Sequence, residues 1–303
     1  MPPVPVLAQP SAYDGHVKSL LARLRPAPTS AEVRPDEGMT TAEVLADAEP
    51  YTADGGDVGV LLCHGFTGSP RSLRAWAEHL AAAGFAVSLP RLPGHGTTWQ
   101  EMNLTTWPDW YAAVDQALTE LRGRCSTTYV AGLSMGGGLA LRLAEQRPAD
   151  VAGLMLVNPS VGTSDPSYTY ALPWLRWFAA SVKPIASDIA KPGIDEGGYP
   201  RAPLHAAYSL TRLWADVRAN LSSVTCPLLL YKSDVDHVVD PTSAKLILAR
   251  VRSGVVLQRR LSRSWHVATM DWDAEEIFAG SVAFIHRMQE IRMQAHQGQA
   301  QPG

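Results

Sequence analysis

The stretch YVAGLSMGGGLALRLA, Tyr129 to Ala144, sets a serine between two glycines where an apolar run of strand length passes into an Ala/Leu run of helical length. Gly132-Leu133-Ser134-Met135-Gly136 has the form GxSxG. A chain of this size would hold that pattern roughly 0.1 times by chance, so its context matters more than the match. A strand before and a helix after are what a nucleophile elbow requires. The glycines then have a physical task. The turn that exposes the serine is cramped, and side chains two residues to either side would collide. A serine at the start of a helix also faces amide N–H groups and the positive end of the helix dipole, which favour a developing negative charge. The competing reading is a glycine-rich turn with no chemistry.

Working outward, Val58 to Cys63 (VGVLLC) is a continuous apolar run, as expected of a strand covered on both faces. Ser69-Pro70 supplies a helix N-cap and an N1 proline. Leu73, Trp76, Ala77 and Leu80 follow at helical spacing. Phe85 to Pro90 reads as a strand, Trp110 to Leu121 as a helix, and Gly153 to Asn158 as a strand. PLLLYK and VVLQRRL are further strands, with helical patterns at Thr242 to Arg250 and Ala274 to Met288. Strands alternating with helices predict an α/β fold, a mainly parallel sheet flanked by helices. Its chemistry belongs at the carboxyl ends of the strands.

The remaining segments set the expected boundaries. Residues 1–57 form an N-terminal arm with one amphipathic patch (Val17, Leu20, Leu21, Leu24) and a capping-box pair, Thr40 and Glu43. The core spans 58–159 and 221–290. Residues 160–220 are too long for a plain loop and predict an inserted cap. Residues 291–303 read as a flexible tail. The cap carries Tyr168, Tyr170, Leu172, Trp174, Leu175, Trp177 and Phe178. Some of them, with Trp174, Trp177 and Phe178 the chosen candidates, are expected to line an apolar substrate pocket, against the alternative that they only bury the cap.

Composition narrows the class. A net charge of −3 leaves no basic footprint for nucleic acid. Three cysteines without CxxC spacing argue against a disulfide framework or zinc site. No apolar run reaches the ~20 residues of a membrane span, and the proline-broken N-terminus is a poor signal peptide. A cytoplasmic protein is the expectation; the arm is expected to pack on the main domain, with a homodimer contact or a membrane-surface helix as the alternatives.

A serine hydroxyl needs a base, and the base needs an orienting acid. His266, in SRSWHVATMD, falls on the loop after the last strand. His237, His286 and His296 are weaker candidates: the first adjoins the candidate acids, the second sits within a helical pattern, the third in a polar tail. The loop after PLLLYK offers Asp234, Asp236 and Asp240.

LLCHGFTGSP, LPGHG, GLSMGG, the segment from Asp216 through Pro241, and SWHVATMD together resemble the α/β-hydrolase superfamily, within it the bacterial carboxylesterase and monoacylglycerol lipase group. The resemblance runs from about Val58 to Met288. It implies Asp236 as the acid and the backbone N–H groups of Phe66 and Met135 as the oxyanion hole. It also implies structural roles for His64 and His95. Relatives often carry glycine before the catalytic histidine; here Trp265 stands there and would narrow the pocket mouth. The implied function is a serine esterase on carboxylic esters, with no cofactor and no metal; the apolar, cation-poor cap points to short-to-medium acyl chains. The rival readings are an acyltransferase using the same triad and a binding protein without turnover.

Overall fold

A computed structural model of the protein describes residues 42–184 and 187–299. The amphipathic patch at Val17 to Leu24 and the proposed cap residue Thr40 lie outside them. In chain order the elements are β1 (Tyr51–Ala53), β2 (Val58–Cys63), α1 (Arg74–Ala82), β3 (Ala86–Leu89), α2 (Trp99–Met102), α3 (Trp107–Arg122) and β4 (Thr127–Leu133). Then follow α4 (Met135–Gln146), β5 (Gly153–Val157), α5 (Ser167–Tyr170), α6 (Leu172–Leu175), β6 (Ser181–Val182), β7 (Ala202–Pro203) and α7 (Leu204–Asn220). The chain closes with β8 (Leu228–Ser233), α8 (Thr242–Arg250), β9 (Val256–Leu261) and α9 (Ala274–Gln299).

Seven strands form one sheet in the order β1-β3-β2-β4-β5-β8-β9, parallel throughout except for β1. The apolar runs are continuous because successive residues serve opposite layers. Leu61, Val130, Leu154 and Leu156 face a layer holding Trp110, Leu118, Leu139 and Leu213 of α3, α4 and α7. Val60, Leu62, Tyr129, Ala131, Met155 and Val157 face the other layer, where Trp76 and Leu80 of α1 meet Ile277 and Phe284 of α9. The periodicity read for α1 holds: Leu73, Trp76, Ala77 and Leu80 are fully buried, and Ser69 caps the 3₁₀ turn that leads in.

Three boundaries differ from those expected. The sheet starts at Tyr51, inside the presumed arm, with Tyr51 opposite Leu89 in an antiparallel edge pair. Three residues are too few to show a period. The cap yields to the core before residue 220, because Leu213 and Val217 of α7 are buried in the main core. The presumed tail is helical through Gln299, and beyond Met288 it exposes Ile291 and Met293. The cap proper holds α5, α6 and the β6–β7 pair around a small cluster of Leu172, Leu204 and Ala207.

Candidate active site

Ser134 sits between β4 and α4 with φ 56° and ψ −120°, a left-handed conformation that costs a non-glycine residue of order 1–3 kcal/mol. Its neighbours hold it there. Ser134 N donates to Val157 O at 3.0 Å, and Ser134 O accepts from Gly137 N and Ser160 N. The flanking glycines are required by contact. A Cβ on Gly132 would stand 2.4 Å from Gly136 O, and one on Gly136 would stand 1.9 Å from Cys63 O.

The end of β2 crosses over this elbow. Gly65 passes so close that a Cβ there would lie 3.5 Å from Ser134 Cβ. His64 is fully buried; its Nε2 accepts from Leu92 N at 3.1 Å and its Nδ1 donates to Gly65 O at 3.1 Å. Burial drives its pKa down to about 4, so the ring is neutral and acts as a strut between two loops. His95, in edge contact with it, is driven well down for the same reason. The strut presents Phe66 on the cavity wall beside Ser134, and Met135 is the first residue of α4, where amides have no intrahelical acceptor.

The loop after β9 brings His266 to Asp236, on the loop after β8. Nδ1 lies 3.1 and 3.2 Å from the two carboxylate oxygens. Burial alone would raise the Asp236 pKa, but His266 and the Lys232 ammonium outweigh it and hold the carboxyl well below the usual range. Val238 N and Val239 N also donate to Asp236 Oδ1. The other candidates are engaged elsewhere. Asp234 pairs with Arg260 at 2.8 Å, and Asp240 accepts from Thr242 N and from Ser164 in the cap. His237 binds Asp188, and His286 is exposed against Phe85.

Four residues escaped the sequence reading. Asn158, at φ 43°, ends β5 and donates to His266 O (2.8 Å) and Ser233 Oγ (2.9 Å). Ser233 Oγ donates in turn to Trp265 O at 2.8 Å, which fixes the histidine loop from behind. Asp188 is buried and accepts from the backbone N of His266 and of His237. Lys232 bonds Asp236 Oδ2 at 2.5 Å. A polar residue closing an apolar strand was a usable signal for Asn158; Asp188 lies in an aperiodic insertion that carried none.

Ser134 and His266 line one cavity of about 210 Å³. Phe66, Tyr168, Leu172, Leu175, Leu204 and Leu210 supply much of its apolar wall, and Asp188, Glu196 and Lys183 add charge. Burial pushes the Glu196 carboxyl up. Trp174, Trp177 and Phe178 do not line it: they are 72%, 66% and 85% exposed. Of the seven cap residues expected to contribute, the three chosen candidates therefore face outward instead. Each cap helix is a single turn with two faces, and the inner face carries Tyr168, Leu172 and Leu175 of the same set. Trp265 is likewise off the wall, packed edge-on against His237 at 5.0 Å.

A strained serine at the carboxyl end of a central parallel strand, with aspartate and histidine on later strand loops, defines the α/β-hydrolase class. A family profile described as serine aminopeptidase, S33 (Hydrolase_4), matches residues 57–195. The thermostable monoacylglycerol lipase of Bacillus sp. (strain H-257) is 42% identical over 242 residues, covering 80% of this chain and 96% of the relative. The carboxylesterase of Bacillus subtilis (strain 168) is 25% identical, covering 79% and 97%. A solved structure from work on the metagenome-derived lipolytic enzymes LipS and LipT is 41% identical, with a TM-score of 0.78, and covers 81% of this chain and all of that one. A soluble variant of monoglyceride lipase from Saccharomyces cerevisiae shares the fold, with a TM-score of 0.65 at 17% identity over 84% of this chain and 97% of its own. The chain belongs to the monoacylglycerol lipase and carboxylesterase group of the α/β-hydrolases and is an ester-hydrolysing serine hydrolase. Among the described residues, no helix is long and apolar enough to cross a membrane.

Proposed function

We propose that the protein hydrolyses monoacylglycerol-type esters of short-to-medium acyl chains through an acyl-enzyme on Ser134. Ser134 Oγ attacks the acyl carbonyl while His266 Nε2 takes its proton. Asp236 on Nδ1 fixes the tautomer and stabilises the imidazolium. The N–H groups of Phe66 and Met135 receive the oxyanion. His266 returns the proton to the departing alkoxide, then activates the water that cleaves the acyl-enzyme.

The observation that carries this reading is the cavity: an apolar wall running from Ser134 under the cap, with carboxylates beside His266. At about 210 Å³ it exceeds the roughly 150 Å³ apolar cavity that accommodates benzene, which leaves room for an acyl chain. Asp188 and Glu196 offer acceptors to the hydroxyls of a glycerol leaving group. The identity to the Bacillus monoacylglycerol lipase agrees with this. Those carboxylates, with the profile's description, also favour a second reading in which they receive the ammonium of a peptide N-terminus.

The test is a series of p-nitrophenyl esters, 1-monoacylglycerols and aminoacyl p-nitroanilides on wild type and Ser134→Ala. Each methylene moved from water to the wall contributes about 0.8 kcal/mol, so kcat/KM should rise about fourfold per methylene before levelling between roughly hexanoyl and decanoyl. Ser134→Ala should lose at least about 10³-fold. Preference for acetyl esters, or triolein outrunning monoacylglycerol, would sink the substrate assignment. Faster turnover of the anilides would install the second reading.

A further inference from the structure

Lys232 is an ammonium in an unusual place. It occupies the fifth position of β8, after Leu228 to Tyr231, all buried. Its side chain is 13% exposed and that of its partner Asp236 is 3% exposed. The ammonium has three N–H donors and finds three acceptors: Asp236 Oδ2 at 2.5 Å, Val239 O at 3.2 Å and Asn158 Oδ1 at 3.4 Å. All three belong to the residues that hold His266 and its acid. Asp236 Oδ2 is also the oxygen 3.2 Å from His266 Nδ1, so cation and imidazole share one carboxylate oxygen.

We propose that Lys232 is a positioning residue for the hydrolysis: by sharing Asp236 Oδ2 with His266 it fixes the carboxylate against the imidazole and tempers the charge that the imidazolium meets. The inference rests on the triad proposed above. Two consequences follow from the geometry. The carboxylate is tethered by Lys232 from the strand and by Val238 N and Val239 N from its own loop, and cannot swing away from the imidazole. Part of the carboxylate's charge is also offset by the ammonium before the imidazolium forms.

Other groups face the same site. On the insertion, Asp188 takes His266 N, Glu196 interacts with His266 electrostatically, and Lys183 lies on the cavity wall. On the loop after β8, His237 is bound to Asp188, while Asp234 is turned to Arg260. Of these groups, only Lys232 and the imidazole itself contact the Asp236 carboxylate with a side-chain N–H.

Three variants test the proposal: Lys232→Met, Lys232→Gln and Lys232→Arg, each with kcat and KM for p-nitrophenyl butyrate across the pH range. Removing a charge within this reach should move the acid limb of kcat/KM upward by on the order of one pH unit. At the plateau, kcat should fall several-fold in both neutral variants with KM little changed. Lys232→Arg should keep the wild-type limb. A limb that stays put in the folded neutral variants would overturn the proposal, as would an arginine variant that shifts like methionine. If neither neutral variant folds by circular dichroism, Lys232 is only a structural cation and the proposal falls. Asp236→Asn, measured in parallel, separates the two ideas: full activity there would end the triad reading itself, whatever Lys232 does.

Discussion

Gly136→Ala asks whether the elbow and the loop proposed to receive the oxyanion are one mechanical unit. The new Cβ would stand 1.9 Å from Cys63 O and 2.4 Å from Cys63 C, both backbone atoms, where contacts under 3.0 Å essentially never occur. A gap of about 1.1 Å must therefore open between α4 and the end of β2. The elbow cannot yield easily, since Gly137 is itself confined by Pro159, with 2.7 Å left for a Cβ. The strand end has to move, and Gly65 and Phe66 move with it. Overpacking of this kind costs about 1–3 kcal/mol of stability. Displacing an oxyanion donor by ~1 Å costs on the order of 10²-fold in turnover. The assay is kcat/KM on p-nitrophenyl butyrate beside a thermal melt, with Gly254→Ala, where a Cβ meets nothing within 4 Å, as the control. A Gly136→Ala protein that melts lower yet keeps activity within threefold would refute the assignment of the Phe66 amide, because the loop would have moved without consequence.

Two further outcomes are expected. Asp236→Asn should lower kcat/KM by about 10³–10⁴-fold and Asp234→Asn by less than about tenfold, measured on one ester at one pH; the reverse ranking would transfer the acid. Burial holds His64 neutral with a pKa of about 4 against an ordinary 6.5, so the unfolded chain binds more protons between those values. That contribution, on the order of 3 kcal/mol, is fully present above pH 6.5 and lost as pH falls toward 4. Urea titrations of wild type and His64→Gln through that window should show the steeper loss in wild type, and parallel curves would deny the burial cost.

The central strands were readable because each must satisfy two helical layers, and that demand writes itself as an unbroken apolar run. The edge strand at Tyr51 to Ala53 faces no such demand and left no run. The serine was legible for a related reason, since its glycines answer to contacts that no other residue fits. Choosing among Asp234, Asp236 and Asp240 was a question of which way a loop turns, which pattern does not encode. It took the resemblance to select Asp236, and the structure pairs that residue with His266. The cap was harder. Aromatic content announced an apolar surface, but in helices of a single turn nothing local says which face is inward. Trp174 and Leu172, two residues apart, point to opposite destinations. Asn158, Asp188 and Lys232 act through partners far away in sequence, Lys232's bond to its own loop excepted.

Among the described residues the cap's buried cluster is Leu172, Leu204 and Ala207, with only partly buried side chains packed on it, whereas the strands beneath it are buried on both faces. Local opening free energies track buried apolar contact, so this layer can come apart while the sheet stays closed. Hydrogen exchange would then show two tiers, with amides of α5 and α6 exchanging through small fluctuations and those of β4 and β5 only through global unfolding. Entry to the serine becomes a matter of how often the roof breathes, a frequency that mutation can tune without disturbing the chemistry below.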